Sequence, residues 1–377
     1  MNFKKSFSNM PEMLEANKDK LNIIVFNFVA ILVGLLISTV LLAFMKINPL
    51  EVCGKALVKI FTDKYNMGEI LVKATPFIFT SLAFAFTYQA NLFNIGAQGQ
   101  FYVGSIVAIT LSLNLANVLP TAVLLPLVLV SSFLAASVVG VFLGFVKSKF
   151  NANEFLTSMM STYVINAFMD YLLRTSLQET KAEYMQTDPI AATAYLPTII
   201  PGTRVHFGFV IAVLTAVAVW FLLNNTSLGF KIRAVGMNKD AAKLAGINIG
   251  VIFIVSFSIA AGLAGMAGFT EVNGVQHMLL RNFNSSVGSY GIGIAILANG
   301  NPIGCIFSSI LFGFLHVMGI TMGRLPGTSI PASIIELIEG IVMLTVIISF
   351  AVRHKYDLKN EKKKLKLLEK AKEENNG

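Results

Sequence analysis

Thr226-Ser-Leu-Gly229-Phe-Lys231-Ile-Arg233-Ala-Val-Gly236-Met-Asn238-Lys239-Asp240-Ala241-Ala242-Lys243-Leu-Ala-Gly246-Ile247 is a basic, glycine-punctuated loop inside a chain that is otherwise largely apolar. It carries four Lys or Arg against one Asp. Basic loops of membrane proteins stay on the cytoplasmic side, so this one is expected there. Roughly Lys239 to Ala245 should form a short helix, stopped abruptly by Gly246 as a left-handed cap. A capped helix displayed on that face is a docking element for something soluble.

The surrounding chain explains why a docking element matters. Of 377 residues, 55% are hydrophobic and 13% charged, with a mean hydropathy of +0.71. Apolar runs long enough to cross a bilayer as helices recur at 22–45, 69–88, 101–119, 121–146, 154–173, 208–224, 251–270, 288–300, 303–320 and 329–351. The reading is an all-α integral membrane protein of about ten transmembrane helices, the eighth run being short. Spans two to five and seven to ten are candidates for inverted copies of one another, although no residue match relates them.

The net charge of +9 sits in loops and ends, which fits the positive-inside rule better than nucleic-acid binding. Lys4, Lys5, Lys18 and Lys20 precede the first span, Lys147 and Lys149 follow the fourth, the quoted loop follows the sixth, and nine Lys or Arg lie between Arg353 and Lys372. An even number of spans puts all four clusters on one side, with both termini inside. The division is then a cytoplasmic lead 1–21, a transmembrane domain 22–351, and a charged cytoplasmic tail 352–377. Positions 49 to 65 read as an amphipathic segment at the outer interface. Residues 174–207, with Pro189, Pro197 and Pro201, read as an irregular, exposed outer loop. Cys53 and Cys305 are too few and too far apart for a disulfide framework or a metal site.

No catalytic constellation appears. His206, His277, His316 and His354 have no ligand spacing, and the GxxxxGK[ST] phosphate loop is absent, so the chain is not expected to hydrolyse ATP itself. A second unusual stretch is Asn91-Leu-Phe-Asn94-Ile-Gly96-Ala-Gln98-Gly99-Gln100, a polar run between apolar spans. Gly96 and Gly99 let the backbone leave the helix there, while Asn94, Gln98 and Gln100 can satisfy freed peptide groups or line a path. The same residues also suit an ordinary tight turn at the membrane surface. Within spans, Glu154, Asp170 and Glu336 lie near ends where water is in reach. Asn166 and Glu339 lie deeper and are candidates for the path, because polar groups in lipid usually face a pathway or a partner. A third cluster, Glu271-Val-Asn273-Gly274 through Arg281-Asn282-Phe283-Asn284, falls on the expected outside and reads as a solvated loop or as a meeting place for a delivered substrate.

With these residues in hand, the chain resembles the permease subunits of bacterial ATP-binding-cassette importers, in the family serving ribose, branched-chain amino acids and nucleosides. Asp240-Ala241-Ala242, with Gly246 four residues on, is similar to the family's "EAA" docking loop, Asp standing for Glu. Gly229-Phe-x-x-Arg233-Ala-x-Gly236-x-Asn238 resembles the sugar and nucleoside branch. Asn94-Ile-Gly96-Ala-Gln98-Gly99-Gln100 resembles the "NIGAEGQ" signature of its nucleoside permeases, with Gln98 where Glu is usual. The resemblance implies a transmembrane subunit without enzymatic activity of its own. It also implies an ATPase subunit that binds ATP and Mg and docks at Arg233, Gly236, Asp240, Ala241, Ala242 and Gly246. A second related permease and an extracellular substrate-binding lipoprotein complete the expected machine. The expected cargo is a nucleoside, with ribose or another sugar as the alternative. An ion-coupled secondary transporter would instead need a buried ionisable relay, and an intramembrane enzyme a nucleophile and base.

Overall fold

The computed structural model describes residues 26, 29–44, 48–325 and 331–375, with side chains described as far as Lys355. The basic lead therefore lies outside the described residues, and the tail is described by its backbone. Thirteen α-helices run through the described residues, which contain no strand. They are α1 Val29–Phe44, α2 Pro49–Thr62, α3 Lys64–Tyr88, α4 Ala97–Leu115, α5 Thr121–Phe150, α6 Glu154–Leu173, α7 Gly208–Asn225, α8 Ser227–Met237, α9 Lys239–Leu244, α10 Ile249–Glu271, α11 Val287–Leu297, α12 Pro302–Gly323 and α13 Ala332–Asn375.

The helices fall into two units, Met1–Val52 with Ser329–Gly377, and Cys53–Thr328. In the first, α1 lies against α13 so closely that a Cβ on Gly34 would come within 2.9 Å of the Val342 backbone. In the second, α10 is the central helix, buried along most of its length from Ile252 to Glu271. Its small residues face α5 and α4. A Cβ on Gly265 would stand 2.5 Å from that of Ala136, and one on Gly144 of α5 would stand 2.5 Å from Ile254 Cα. Among apolar surroundings helix contact brings no hydrophobic gain, so close backbone approach through small residues carries the packing.

The all-helical expectation holds, and the span count is met in part among the described residues. Six helical stretches among the described residues are long and apolar enough to cross a membrane: α3, α5, α7, α10 with its extension to Gln276, α12, and Ser333–Arg353 of α13. A seventh arises if α1 and α2 form one broken span. The other expected spans do become helices, but α11 has only 11 residues, and α4 and α6 are too polar to join the six.

Three loops also differ from expectation. The basic loop holds two helices, because Ser227–Met237 forms α8 before the expected short one. Residues 174–207 are irregular, as expected, but they fold onto the bundle: Ile190, Ala194, Leu196 and Val205 are buried, and backbone bridges join Gln186 to Leu280 and Thr198 to His206. The cluster expected as a solvated loop begins buried, with Glu271 and Asn273 almost inaccessible, and turns through a short π-helix, Val272–Gln276.

Candidate functional site

The basic loop is built from local signals. Asn238 Oδ1 accepts from the backbone N–H of Asp240 and Ala241, each at 3.0 Å, which caps the start of α9. At the other end Gly246 takes φ +78°, and the N–H groups of Gly246 and Ile247 donate to the carbonyls of Lys243 and Ala242. This is the double hydrogen bond of a Schellman cap, which needs a left-handed residue at that point. Ala242 is buried against the bundle, while Asp240 and Ala241 face outward. Leu244 is 91% exposed, Met237 83% and Phe230 62%. Apolar side chains on a basic loop, held out on a rigid capped helix, are suited to a protein partner.

The loop is also seated on the bundle through Gly236. A Cβ on Gly236 would collide with the Gln89 carbonyl, so only glycine lets α8 close on the end of α3. The Gln89 side chain in turn donates to the Gly300 carbonyl at 3.0 Å, in the turn between α11 and α12. Arg233 Nη1 donates to Asn224 Oδ1 at 3.1 Å, bracing the corner between α7 and α8.

The polar run after Gln89 is fully engaged. Asn94 and Gln100 are buried and exchange a reciprocal pair of amide hydrogen bonds, 2.8 and 3.1 Å. Gln98 bridges to another element: its Nε2 donates to the Asn284 carbonyl at 3.0 Å and its Oε1 accepts from Gly288 N–H at 2.6 Å. Gly96 caps the start of α4 with φ −75°, and Gly99 lies inside that helix. Neither takes positive φ; what excludes larger residues is α6, because a Cβ on Gly96 would stand 2.8 Å from the Ser158 carbonyl and one on Gly99 2.8 Å from Thr162 Cα. The run begins beside the basic loop, where Gly236 approaches Gln89 and Ala90, and turns back along the bundle. Gly288 packs on Gln98 and neighbouring Val287 accepts from Thr80 Oγ1 at 3.2 Å. Thr80 precedes Tyr88 by eight residues, about 12 Å of helix. The start of α4 therefore sits beside the middle of α3, not at its end.

Asn166 is on α6, half-buried, one turn beyond Thr162, and its carbonyl oxygen has no partner. Glu154 pairs with Lys147 at 2.7 Å and Asp170 with Arg281 at 3.1 Å, so the two carboxylates tie the ends of α6 to the neighbouring elements. Glu339 is buried in α13, in the other unit, while Glu336 is exposed.

Sequence reasoning missed a group at the opposite end of the bundle. Glu69, near the start of α3, receives a bidentate pair from Arg204 at 2.8 and 2.6 Å. His206 is 2% exposed and its Nδ1 accepts from Gly208 N–H at 3.2 Å, which puts the ring proton on Nε2. Burial, with help from His277 and Arg204, pushes its pKa down to about 4. His277 stacks on Tyr195 with ring centres 3.7 Å apart. The residues lie on four separate segments, and only the left-handed His277, φ +58°, departs from an ordinary backbone. No group of His, Cys, Asp and Glu among the described residues could hold a metal ion.

Several long apolar helices joined by a capped basic loop define a multi-pass membrane protein. Residues 66–347 match the family described as branched-chain amino acid transport system / permease component, and the chain belongs to that family. Similar proteins include a glucose ABC transporter permease, TsgB13, of Haloferax volcanii, 30% identical over 85% of this chain and 86% of its own. A guanosine ABC transporter permease, NupP, of Bacillus subtilis is 29% identical over 78% and 84%. A nucleoside ABC transporter permease, NupB, of Lactococcus lactis is 26% identical over 86% and 90%. Bacillus subtilis has a second guanosine permease in the comparison, NupQ, at 26% identity. A permease of this class is not an enzyme: ATP is handled by a partner ATPase, and a second permease joins it. No solved structure matches the chain.

Proposed function

We propose that this chain is one of two unlike membrane subunits of an importer that brings nucleosides across the plasma membrane, crossing it ten times with both termini inside. The observation that carries the reading is the docking loop: a helix capped at both ends, exposed along one side, and closed through Gly236 onto the bundle. An ion-coupled carrier has no need of such a surface. The relatives named for guanosine and nucleosides support the cargo, and the substrate would arrive from an extracellular lipoprotein. Residues Asn94 and Gln100 serve as internal supports of the path and Gln98 as its link to α11. Each of these amides already bonds within the protein. Arg233, Gly236 and Asp240 to Gly246 form the ATPase seat.

A sugar cargo is the second reading, favoured by the similarity to the glucose permease. Proteoliposomes holding this chain, its partner permease and the ATPase decide between them, with uptake of radiolabelled guanosine, ribose and glucose followed at saturating binding protein. ATP-dependent guanosine uptake that excess glucose leaves untouched is the expected result. Glucose or ribose uptake without guanosine uptake overturns the nucleoside reading.

A further inference from the structure

Helix α11 begins inside the membrane. Its neighbour α3 has 25 residues, about 36 Å of helix, and is one of the six that are long and apolar enough to cross. A hydrocarbon core is about 30 Å thick, so the middle turns of α3 lie within it. Thr80, about 12 Å from the end of α3, donates to the Val287 carbonyl at the head of α11, and a Cβ on Gly291 would stand 2.7 Å from the Thr80 backbone. Further on, a Cβ on Gly300 would stand 3.0 Å from the Tyr88 ring. The two helices therefore run side by side in the same direction, and the 11 residues of α11 cover only the half of the span nearer the basic loop.

The head of α11 is polar where lipid would demand the reverse. Ser285 and Ser289 are exposed, Asn284 and Ser286 half-buried, and their side chains form no hydrogen bond among the described residues. On α3, Lys73 is half-buried and has neither an ion pair nor a hydrogen bond among those residues. Phe77 and Tyr290 pack edge to face, with ring centres 5.6 Å apart. One turn back from each lie Lys73 and Ser286, which helical spacing on two parallel helices brings to one level. An ammonium group and open hydroxyls are costly in hydrocarbon, and at membrane depth such groups face a pathway or a partner. Leu134 and Val138, exposed on α5, are what a lipid-facing surface of this unit carries instead.

We propose that Asn284, Ser285, Ser289 and Lys73 line a water-filled cavity at the head of α11 that binds the hydroxyl groups of a neutral polyol, the ribose of a nucleoside or a free sugar. A sugar hydroxyl both donates and accepts, as do a serine hydroxyl and an asparagine carboxamide, while the lysine ammonium donates to any oxygen left over. The half-length of α11 is what leaves room for such a cavity, because no turn of that helix fills the other half of the span. The identity of the ligand rests on the function proposed above; the position of the cavity does not.

Cysteine accessibility in the assembled transporter tests both. In a background with Cys53→Ser and Cys305→Ala, Ser285→Cys and Ser289→Cys are compared with Leu134→Cys and Val138→Cys. A charged, membrane-impermeant thiol reagent attacks the thiolate, which forms in water and not in lipid. Positions 285 and 289 are therefore expected to react about tenfold faster or more than 134 and 138, with guanosine slowing the reaction. Equal rates at the four positions, or no reaction at 285 and 289, overturn the cavity. Slowing by ribose or glucose and not by guanosine keeps the polyol site and removes the nucleoside, whereas slowing by none of the three overturns the binding role. Adding Lys73→Gln to the Ser289→Cys protein is expected to slow an anionic reagent about twofold or more and not a cationic one. Equal effects on the two reagents remove Lys73 from the cavity. In uptake from saturating binding protein, the double variant Ser285→Ala, Ser289→Ala is expected to carry guanosine about tenfold more slowly with ATPase capture unchanged. Wild-type uptake in that variant overturns the hydroxyl contacts.

Discussion

Asn94 and Gln100 show why composition and contact carry different information. Carboxamides in a glycine-rich run were legible as a break in the helix, but their partners were not. Asn94 and Gln100 face each other across only six residues, whereas Gln98 reaches partners 186 and 190 residues away. Removing one amide of the buried pair strands the other. Asn94→Leu and Gln100→Leu are each expected to destabilise the protein by about 1–3 kcal/mol, and the double mutant by clearly less than the sum. Melting temperatures of the four proteins in detergent provide the measurement. His206 gives a prediction of another kind. Its pKa is 6.5 when unfolded and about 4 in the fold, so the unfolded chain binds the extra proton between those values. The contribution of the neutral ring is complete above pH 6.5 and is lost as the pH falls toward 4, on the order of 3 kcal/mol in all. His206→Gln should flatten the fall in melting temperature between pH 7 and pH 4.5 relative to the wild type. The position of His206 could not be read from its neighbours in sequence, because Gly274, on which it packs, lies on another segment.

At the scale of the element, the short helix α9 was the most legible part of the fold, since both its caps are encoded within nine residues, Asn238 to Gly246. Nothing lies within 4 Å of a Cβ on Gly246, so the demand there is on backbone angle alone. Gly246→Asn is expected to keep most uptake, as asparagine tolerates the left-handed region. Gly246→Pro fixes φ near −65° and removes the N–H that bonds Lys243, and is expected to abolish uptake and ATPase capture while the protein still reaches the membrane. Uptake and co-purification of the ATPase, measured together, check both outcomes. At Gly96 and Gly99, by contrast, the reason for glycine was not the one the pattern suggested. Turn chemistry predicts positive φ, but the demand is contact with α6, which follows some sixty residues later.

At the scale of the molecule, apolar runs located the helices, of which six among the described residues are long and apolar enough to cross a membrane. Which side chains of α6 turn inward is known only once the helices are packed: its Ser158, Thr162 and Asn166 are buried or half-buried, while Phe155, Val164 and Phe168 are exposed. If both termini and the basic loop are cytoplasmic, a single cysteine at position 239 should react with an impermeant reagent in inside-out vesicles and stay protected in intact cells. Labelling from outside would reverse the topology and remove the ATPase seat with it. The hydrogen bond from Gln89 to Gly300 bears on the order of assembly, because it joins residues 211 apart in the chain. Contacts that distant form late, since everything between them must first be made and placed. While the chain is being synthesised, α9 can fold as soon as Gly246 has emerged, yet the point beneath it stays open until the turn after α11 arrives. A chain truncated before residue 300 would therefore carry a finished docking helix on an unlocked base.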